Sequence, residues 1–244
     1  MNDARSHLIV ALDLPDREAA LTAVDGLMGH VGSFKLGLEL FIREGPRLVE
    51  EIRDRAGKVF LDLKLHDIPN TVAAGVRSAC RLGVHMLTLH AAGGIKMLEA
   101  ARQAAQDFDP PPLLLAVSAL TSLSSEEVQK IGIHEPLQDW VLRLADLSAQ
   151  AGLPGLVTST WELPSLRTRF GDRFRYVVPG IRPAGSQAHD QSRTATPEEA
   201  MRAGADFLVV GRPILQSAEP ARAADQIAAG ISAFLQQLAQ LEKH

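Results

Sequence analysis

The chain has 244 residues, 46% hydrophobic and 22% charged, a composition that fits a packed protein and excludes global disorder. Lys plus Arg (25) against Asp plus Glu (29) leaves a formal net charge of −4, which argues against a broad nucleic-acid surface. The single cysteine excludes an internal disulfide and a cysteine-rich metal site.

The N-terminal stretch MNDARSHLIVALDLP reaches charged Asp13 after an apolar run too short for a secretory signal core. No apolar stretch approaches the roughly 18 residues that cross a bilayer, so a cytoplasmic location without a membrane partner is expected. Short apolar, β-branched runs then recur: His7–Leu14, Ser33–Leu38, Lys58–Lys64, Met86–His90, Leu113–Ser118, Gly155–Thr158, Arg175–Val178 and Phe207–Val210. Segments of helical pattern lie between them. Pro15-Asp16 opens the first, with Ala19, Ala20, Ala23, Val24 and Leu27 on one face. Leu137, Val141, Leu144, Ala145 and Leu147 mark another. The last carries Ile227, Ile231, Phe234, Leu235, Leu238 and Leu241 at steps of three and four. Trp140 and Trp161 read as helix-packing residues, and Cys80 as a buried thiol.

Strand and helix alternate eight times, about every 25 to 35 residues, which predicts parallel strands joined by crossover helices. The fold class expected is α/β, a single (β/α)8 barrel domain over residues 1–244. An open doubly wound sheet is the competing architecture. Its GxGxxG fingerprint is absent, as is the P-loop pattern.

A barrel of this kind places its active site at the C-terminal ends of its strands. Polar residues gather at those positions: Asp13, Lys35, Asp62, Lys64 and Asp67, His90, Ser118 and Thr121, Arg182, and Gly211-Arg212. Strand alternation puts Asp62 and Lys64 on one face, with Leu61, Leu63 and Leu65 on the other. Opposite charges in a barrel mouth are costly to desolvate unless paired. An ordinary ion pair at a strand end fits DxKxxD equally well, so that segment alone does not choose. Gly211-Arg212 follows the eighth run, where barrels often bind phosphate, and combines close backbone approach with a planar donor fork. The long connection PGIRPAGSQAHDQSRTAT (Pro179–Thr196) reads as a lid in which Arg182 and Gln191 could hold a ligand, with a solvated loop as the alternative. His66, His85, His90, His134 and His189 form no close metal-ligand pattern, so no metal site is expected. Ser118 lacks a GxSxG elbow.

Taken together and in order, VALDLP (Val10–Pro15), FKLG (Phe34–Gly37), LDLKLHDIPNT (Leu61–Thr71), LTS (Leu120–Ser122), PGIRP (Pro179–Pro183), DQ (Asp190-Gln191) and VVGRPI (Val209–Ile214) resemble the orotidine 5′-phosphate decarboxylase family. The resemblance runs from Val10 to about Pro220. It implies decarboxylation of orotidine 5′-monophosphate to uridine 5′-monophosphate, the last step of de novo pyrimidine nucleotide synthesis, with no cofactor. It implies Lys64 as proton donor to the carbon that loses CO₂, within a Lys35-Asp62-Lys64-Asp67 array. It implies Asp13 and Lys35 on the ribose hydroxyls, and Thr121 at the pyrimidine. Arg182, Gln191, Gly211 and Arg212 would lie around the phosphate. A homodimer is implied, with Asp67, Ile68 and Thr71 reaching the partner subunit's site. Related magnesium-dependent sugar-phosphate enzymes also carry DxKxxD on a barrel, but HDIPNT and PGIRP favour the nucleotide enzyme. A non-catalytic nucleotide-binding barrel is a third reading, for which the intact Asp62-Lys64-Asp67 set gives no reason.

Overall fold

The computed structural model describes residues 4–183 and 194–241. Eight parallel strands pair in chain order: β1 (Leu8–Ala11), β2 (Ser33–Gly37), β3 (Val59–Leu65), β4 (Met86–His90), β5 (Leu113–Val117), β6 (Gly155–Val157), β7 (Arg175–Val178) and β8 (Phe207–Val210). β1 pairs with β2 on one side and β8 on the other, so the sheet closes on itself and the open-sheet alternative is excluded. Each predicted apolar run coincides with one strand, β3 running one residue past its run to Leu65. The largest boundary change is in the first run, where Leu12, Asp13 and Leu14 have already left β1.

The surrounding helices are α1 (Arg17–Leu27), α2 (Leu38–Glu44), α3 (Pro46–Ala56), α4 (Pro69–Arg81), α5 (Ile95–Gln106), α6 (Ser125–Lys130), α7 (Leu137–Gln150), α8 (Leu163–Phe170), α9 (Pro197–Ala203), α10 (Arg212–Leu215) and α11 (Pro220–Leu241). Their starts are chemically encoded. Asp16 accepts a hydrogen bond from the Ala19 N–H at 2.9 Å and caps α1. Ser124 with Glu127, and Thr196 with Glu199, form reciprocal capping boxes for α6 and α9.

Strand alternation separates two cores. Ile9, Ala11, Phe60, Met86, Leu115, Val177 and Val209 fill the barrel interior. The opposite strand faces, among them Leu8, Val10, Leu61, Leu87, Leu114, Tyr176 and Leu208, bury against the helices. Burying each such side chain stabilises the fold by roughly 1.5–3 kcal/mol. The interior is full enough to dictate a glycine on β6: a Cβ at Gly155 would lie 2.5 Å from Leu115 Cδ2 and 3.1 Å from the Arg175 carbonyl oxygen.

Two apolar expectations need correction. Trp140 is buried in α7, but Trp161 lies in the turn before α8 and is 70% exposed, so it packs no helix. The stripe of α11 buries Ile227 and Ile231 and partly buries Phe234 and Leu235, yet Leu238 is exposed. The helix outruns the barrel it packs against. Cys80 is buried in α4, as expected.

Candidate active site

A cavity of about 260 Å³ opens at the C-terminal ends of the strands. Its floor is the top of the barrel core, with Ala11, Phe60, Val157, Val177 and Val209 among its lining residues. Its polar lining gathers Asp13, Lys35, Asp62, Lys64, Thr121, Arg182 and Arg212. A larger groove of about 800 Å³ lies outside the barrel between α1 and the start of α11. Asp16 there caps α1, Arg222 pairs with Glu219 at 2.9 Å, and among the described residues no cluster of opposite charges like that of the barrel mouth lines it. Convergent charge therefore marks the smaller cavity as the site.

The charges form a chain of alternating sign across three neighbouring strands. Lys35 Nζ lies 3.6 Å from Asp13 Oδ1 and 3.4 Å from Asp62 Oδ2. Lys64 Nζ donates to the other Asp62 oxygen, Oδ1, at 2.9 Å. Asp62 is buried, and burial works to raise its pKa. The charges of Lys35 and then Lys64, with hydrogen bonds from Lys64 and Thr88, outweigh burial and hold the carboxyl below the usual carboxylate range. Asp62 is thus an ionised, fully engaged acceptor that fixes two ammonium groups.

Simple alternation on β3 predicts that Asp62 and Lys64 share a face, and both do line the cavity. The route differs from a regular strand. β3 takes four residues from Leu61 to Leu65, while β4 takes two from Leu87 to Leu89. The surplus is a bulge, and Lys64 sits within it at φ 49°, the sole non-glycine with positive φ among the described residues. That left-handed backbone costs of order 1–3 kcal/mol and persists where surrounding contacts impose it.

Next to β1 on its other side, β8 and then β7 deliver the second group of cations. Arg182 is buried just beyond β7, with Nη1 donating to the Ile181 carbonyl at 2.9 Å. Its backbone N–H donates to Ala195 O at 2.8 Å, tying together the two ends of the long connection. Gly211 and Arg212 begin α10 directly after β8. A Cβ at Gly211 would lie 3.4 Å from Asp13 Oδ2, an ordinary contact distance, so this edge of the mouth adjoins the charge chain. Gln191, and the middle of the expected lid, lie outside the described residues.

Among the other expected site residues, Thr121 joins the cavity while Asp67, Ile68 and Thr71 do not. Those three are exposed after β3, and Asp67 Oδ1 accepts from the Ile68 N–H at 2.6 Å. Within one chain the charge array is therefore Asp13-Lys35-Asp62-Lys64, without Asp67. Among the described residues no group of three or more His, Cys, Asp and Glu is arranged to hold a metal ion. No described helix is long and apolar enough to cross a membrane.

The His66–His90 stacking and the contacts of Thr88 are not legible in the sequence, which places only His90 itself at the mouth. His66 stacks on His90 with ring centroids 5.2 Å apart, and His90 Nδ1 accepts from the Ala92 N–H at 3.4 Å. Burial, then the nearby His66 and Lys64, lower the pKa of His90. Thr88, buried in the middle of β4, accepts from the Lys64 N–H at 2.8 Å and donates to Asp62 Oδ1 at 2.9 Å. A threonine in an apolar run reads as a strand former. Its only sequence signal is that Met86, Thr88 and His90 share a face by alternation.

Comparison with known proteins places the chain in a family. The family model described as Orotidine 5'-phosphate decarboxylase / HUMPS family matches residues 6–227. The chain is 47% identical over 240 residues to the orotidine 5'-phosphate decarboxylase of Syntrophotalea carbinolica, covering 96% of this chain and 98% of that one. It is 47% identical over 234 residues to the enzyme of the same name from Moorella thermoacetica, covering 93% of each. A crystal structure of orotidine 5'-phosphate decarboxylase from Lactobacillus acidophilus matches with a TM-score of 0.81 and 35% identity, over 92% of this chain and 98% of that chain.

Proposed function

The chain belongs to the Orotidine 5'-phosphate decarboxylase / HUMPS family, and on that premise we propose a carboxy-lyase that converts orotidine 5′-monophosphate to uridine 5′-monophosphate without a cofactor. The observation that carries the reading is the Asp13-Lys35-Asp62-Lys64 charge chain sharing one cavity with two arginines. A nucleotide carboxylate and a nucleotide phosphate are the two ends such a cavity would take.

In this reading the bond from C6 to the carboxylate breaks, CO₂ leaves, and the electron pair stays on C6 in the plane of the ring. The ring π-system delocalises that pair poorly, so the protein must supply charge where charge develops. The Lys64 ammonium, fixed by Asp62, stands against the developing carbanion and then gives it a proton. The resulting neutral amine takes a proton back from solvent after release. Asp13 and Lys35 hold ribose hydroxyls, and Thr121 contacts the pyrimidine. Gly211, Arg212, Arg182 and Gln191 surround the phosphate.

One preorganised donor is worth roughly 3–4 kcal/mol, while demanding reactions need up to about 23 kcal/mol. The phosphate contacts would supply part of the remainder, as binding energy realised at the reacting carbon. Two copies would associate through the exposed segment after β3, so that Asp67, Ile68 and Thr71 complete the partner's site. The reaction would place the enzyme in the cytoplasm, at the last step of de novo pyrimidine nucleotide synthesis, with the whole chain acting as one barrel domain.

The test is an absorbance assay with orotidine 5′-monophosphate in the presence of EDTA, using wild type beside Lys64→Ala. Loss of the orotate chromophore with wild type alone is expected. Turnover by Lys64→Ala near the wild-type rate would remove Lys64 from its role. A folded wild type that leaves the substrate intact would overturn the reaction itself, and magnesium with sugar phosphates would be tried next.

A further inference from the structure

We infer that Thr88 is the positioning residue of this site: one buried hydroxyl fixes both the carboxylate that holds Lys64 and the backbone that aims it. The inference rests on the decarboxylation proposed above. It starts from the β3 bulge. Lys64 has no register partner on β4, because the pairing jumps from Leu61–Leu87 to Leu65–Leu89. Its N–H therefore finds a side chain instead, Thr88 Oγ1 at 2.8 Å.

The polarity of the network is forced. A backbone N–H can only donate, so the hydroxyl oxygen accepts there. An ionised carboxylate can only accept, so the hydroxyl proton points to Asp62 Oδ1, at 2.9 Å. That same oxygen receives Lys64 Nζ at 2.9 Å. Three short contacts thus close a loop from the Lys64 backbone, through Thr88 and Asp62, to the Lys64 ammonium. Both ends of the lysine are held, and the atom that joins them is on a different strand.

Thr88 is well placed to be rigid. It is 1% exposed and lies in the middle of β4, in register with Leu115 of β5. Its β-branch restricts χ1, so the hydroxyl direction is set by the strand rather than by the lysine. Thr88 is not among the residues lining the cavity, so it would touch no substrate atom. Its effect must pass through Lys64 and Asp62.

That separation defines the experiment, run on the full chain with orotidine 5′-monophosphate. Thr88→Val keeps shape and removes the hydroxyl. It should lower kcat roughly 10- to 100-fold, the range for lost supporting contacts and ångström-scale misplacement. KM should stay within about twofold, because no binding contact is lost. Thr88→Ser, which keeps the hydroxyl, should restore most of kcat although it loses a buried methyl. Thr88→Ala is read in the same way should the valine variant not fold. A folded Thr88→Val or Thr88→Ala variant with wild-type kcat would overturn the inference while leaving the reaction intact. So would a serine variant as impaired as the variants without a hydroxyl. An inactive wild type would overturn the reaction reading and this inference with it.

Discussion

The Lys35 ammonium stands 3.4 Å from Asp62 Oδ2, while Lys64 occupies Oδ1, so a single carboxylate compensates two cations. The Lys35 side chain is only 13% exposed, and its other partner, Asp13, is 62% exposed and faces solvent screening. Asp62→Asn should therefore leave poorly compensated charge in the barrel. Removing one partner of a fully buried pair costs about 3–5 kcal/mol; with Lys64 partly exposed and Asp13 still present, about 2 kcal/mol is expected. For a chain of this length that is a fall in Tm of about 4–8 °C. The pH dependence has a definite sign. Burial alone would raise the Asp62 pKa, but Lys35 and Lys64 hold it below the ordinary value, so on acidification the unfolded chain takes up this proton first. Its stabilisation is complete above the ordinary aspartate pKa of about 3.9 and is lost as pH falls through the lower folded value. Thermal melts of wild type and Asp62→Asn should keep a constant gap from about pH 7 to about pH 5 and converge below about pH 4. A gap that closes by about pH 6 would show that another group carries the effect.

Much of this architecture is written in local sequence. Alternation on VFLDLKL predicts Asp62 and Lys64 at one face, where both do line the cavity although a bulge intervenes, and the polar ends of successive strands converge because the barrel closes. What is not local is not legible. The bulge exists only relative to β4, and VFLDLKL itself reads as an unbroken strand. The glycine at 155 is required by Leu115 and Arg175 on neighbouring strands, which no pattern within β6 reveals. Trp161 misleads because hydrophobicity near a helix usually means packing, whereas its place in the turn before α8 leaves it exposed. Asp67 illustrates a further limit: its spacing from Lys64 suits the motif, but its place after the strand leaves it outside the chain's own cavity.

The phosphate end of the site can be tested apart from the chemistry. Arg212 starts α10 directly after β8 and lines the cavity with Arg182. A hydrogen bond to a charged group contributes about 1.5–3 kcal/mol, so Arg212→Ala should lower kcat/KM for orotidine 5′-monophosphate about 10- to 150-fold. The comparison that matters is orotidine, which lacks the phosphate. Its slow turnover should be nearly unchanged by the substitution, since orotidine offers no phosphate at that end of the cavity. Equal losses on nucleotide and nucleoside would mean that Arg212 supports the fold of the mouth rather than the phosphate.

The proposed association of two copies can be tested at the apolar residues that the mouth leaves uncovered. Ile68 after β3 is 67% exposed, and Leu38 and Ile42 on α2, after the adjacent β2, are 51% and 79% exposed. Single exposed apolar residues are ordinary, but three on neighbouring connections at one end of a barrel would gain from being covered by one contact. If this surface is the dimer contact, Ile68→Lys places a charge in it and should weaken the dimer by about 1–3 kcal/mol, roughly 5- to 150-fold in Kd. Sedimentation velocity should find wild type dimeric at micromolar concentration and the variant shifted toward monomer. Specific activity gives the sharper reading, because Asp67 and Thr71 would act only across the contact. The variant should lose activity on dilution, and regain part of it as concentration rises. A variant that stays dimeric at every concentration would move the interface elsewhere. A monomeric variant with full activity would show that the segment after β3 completes no partner's site.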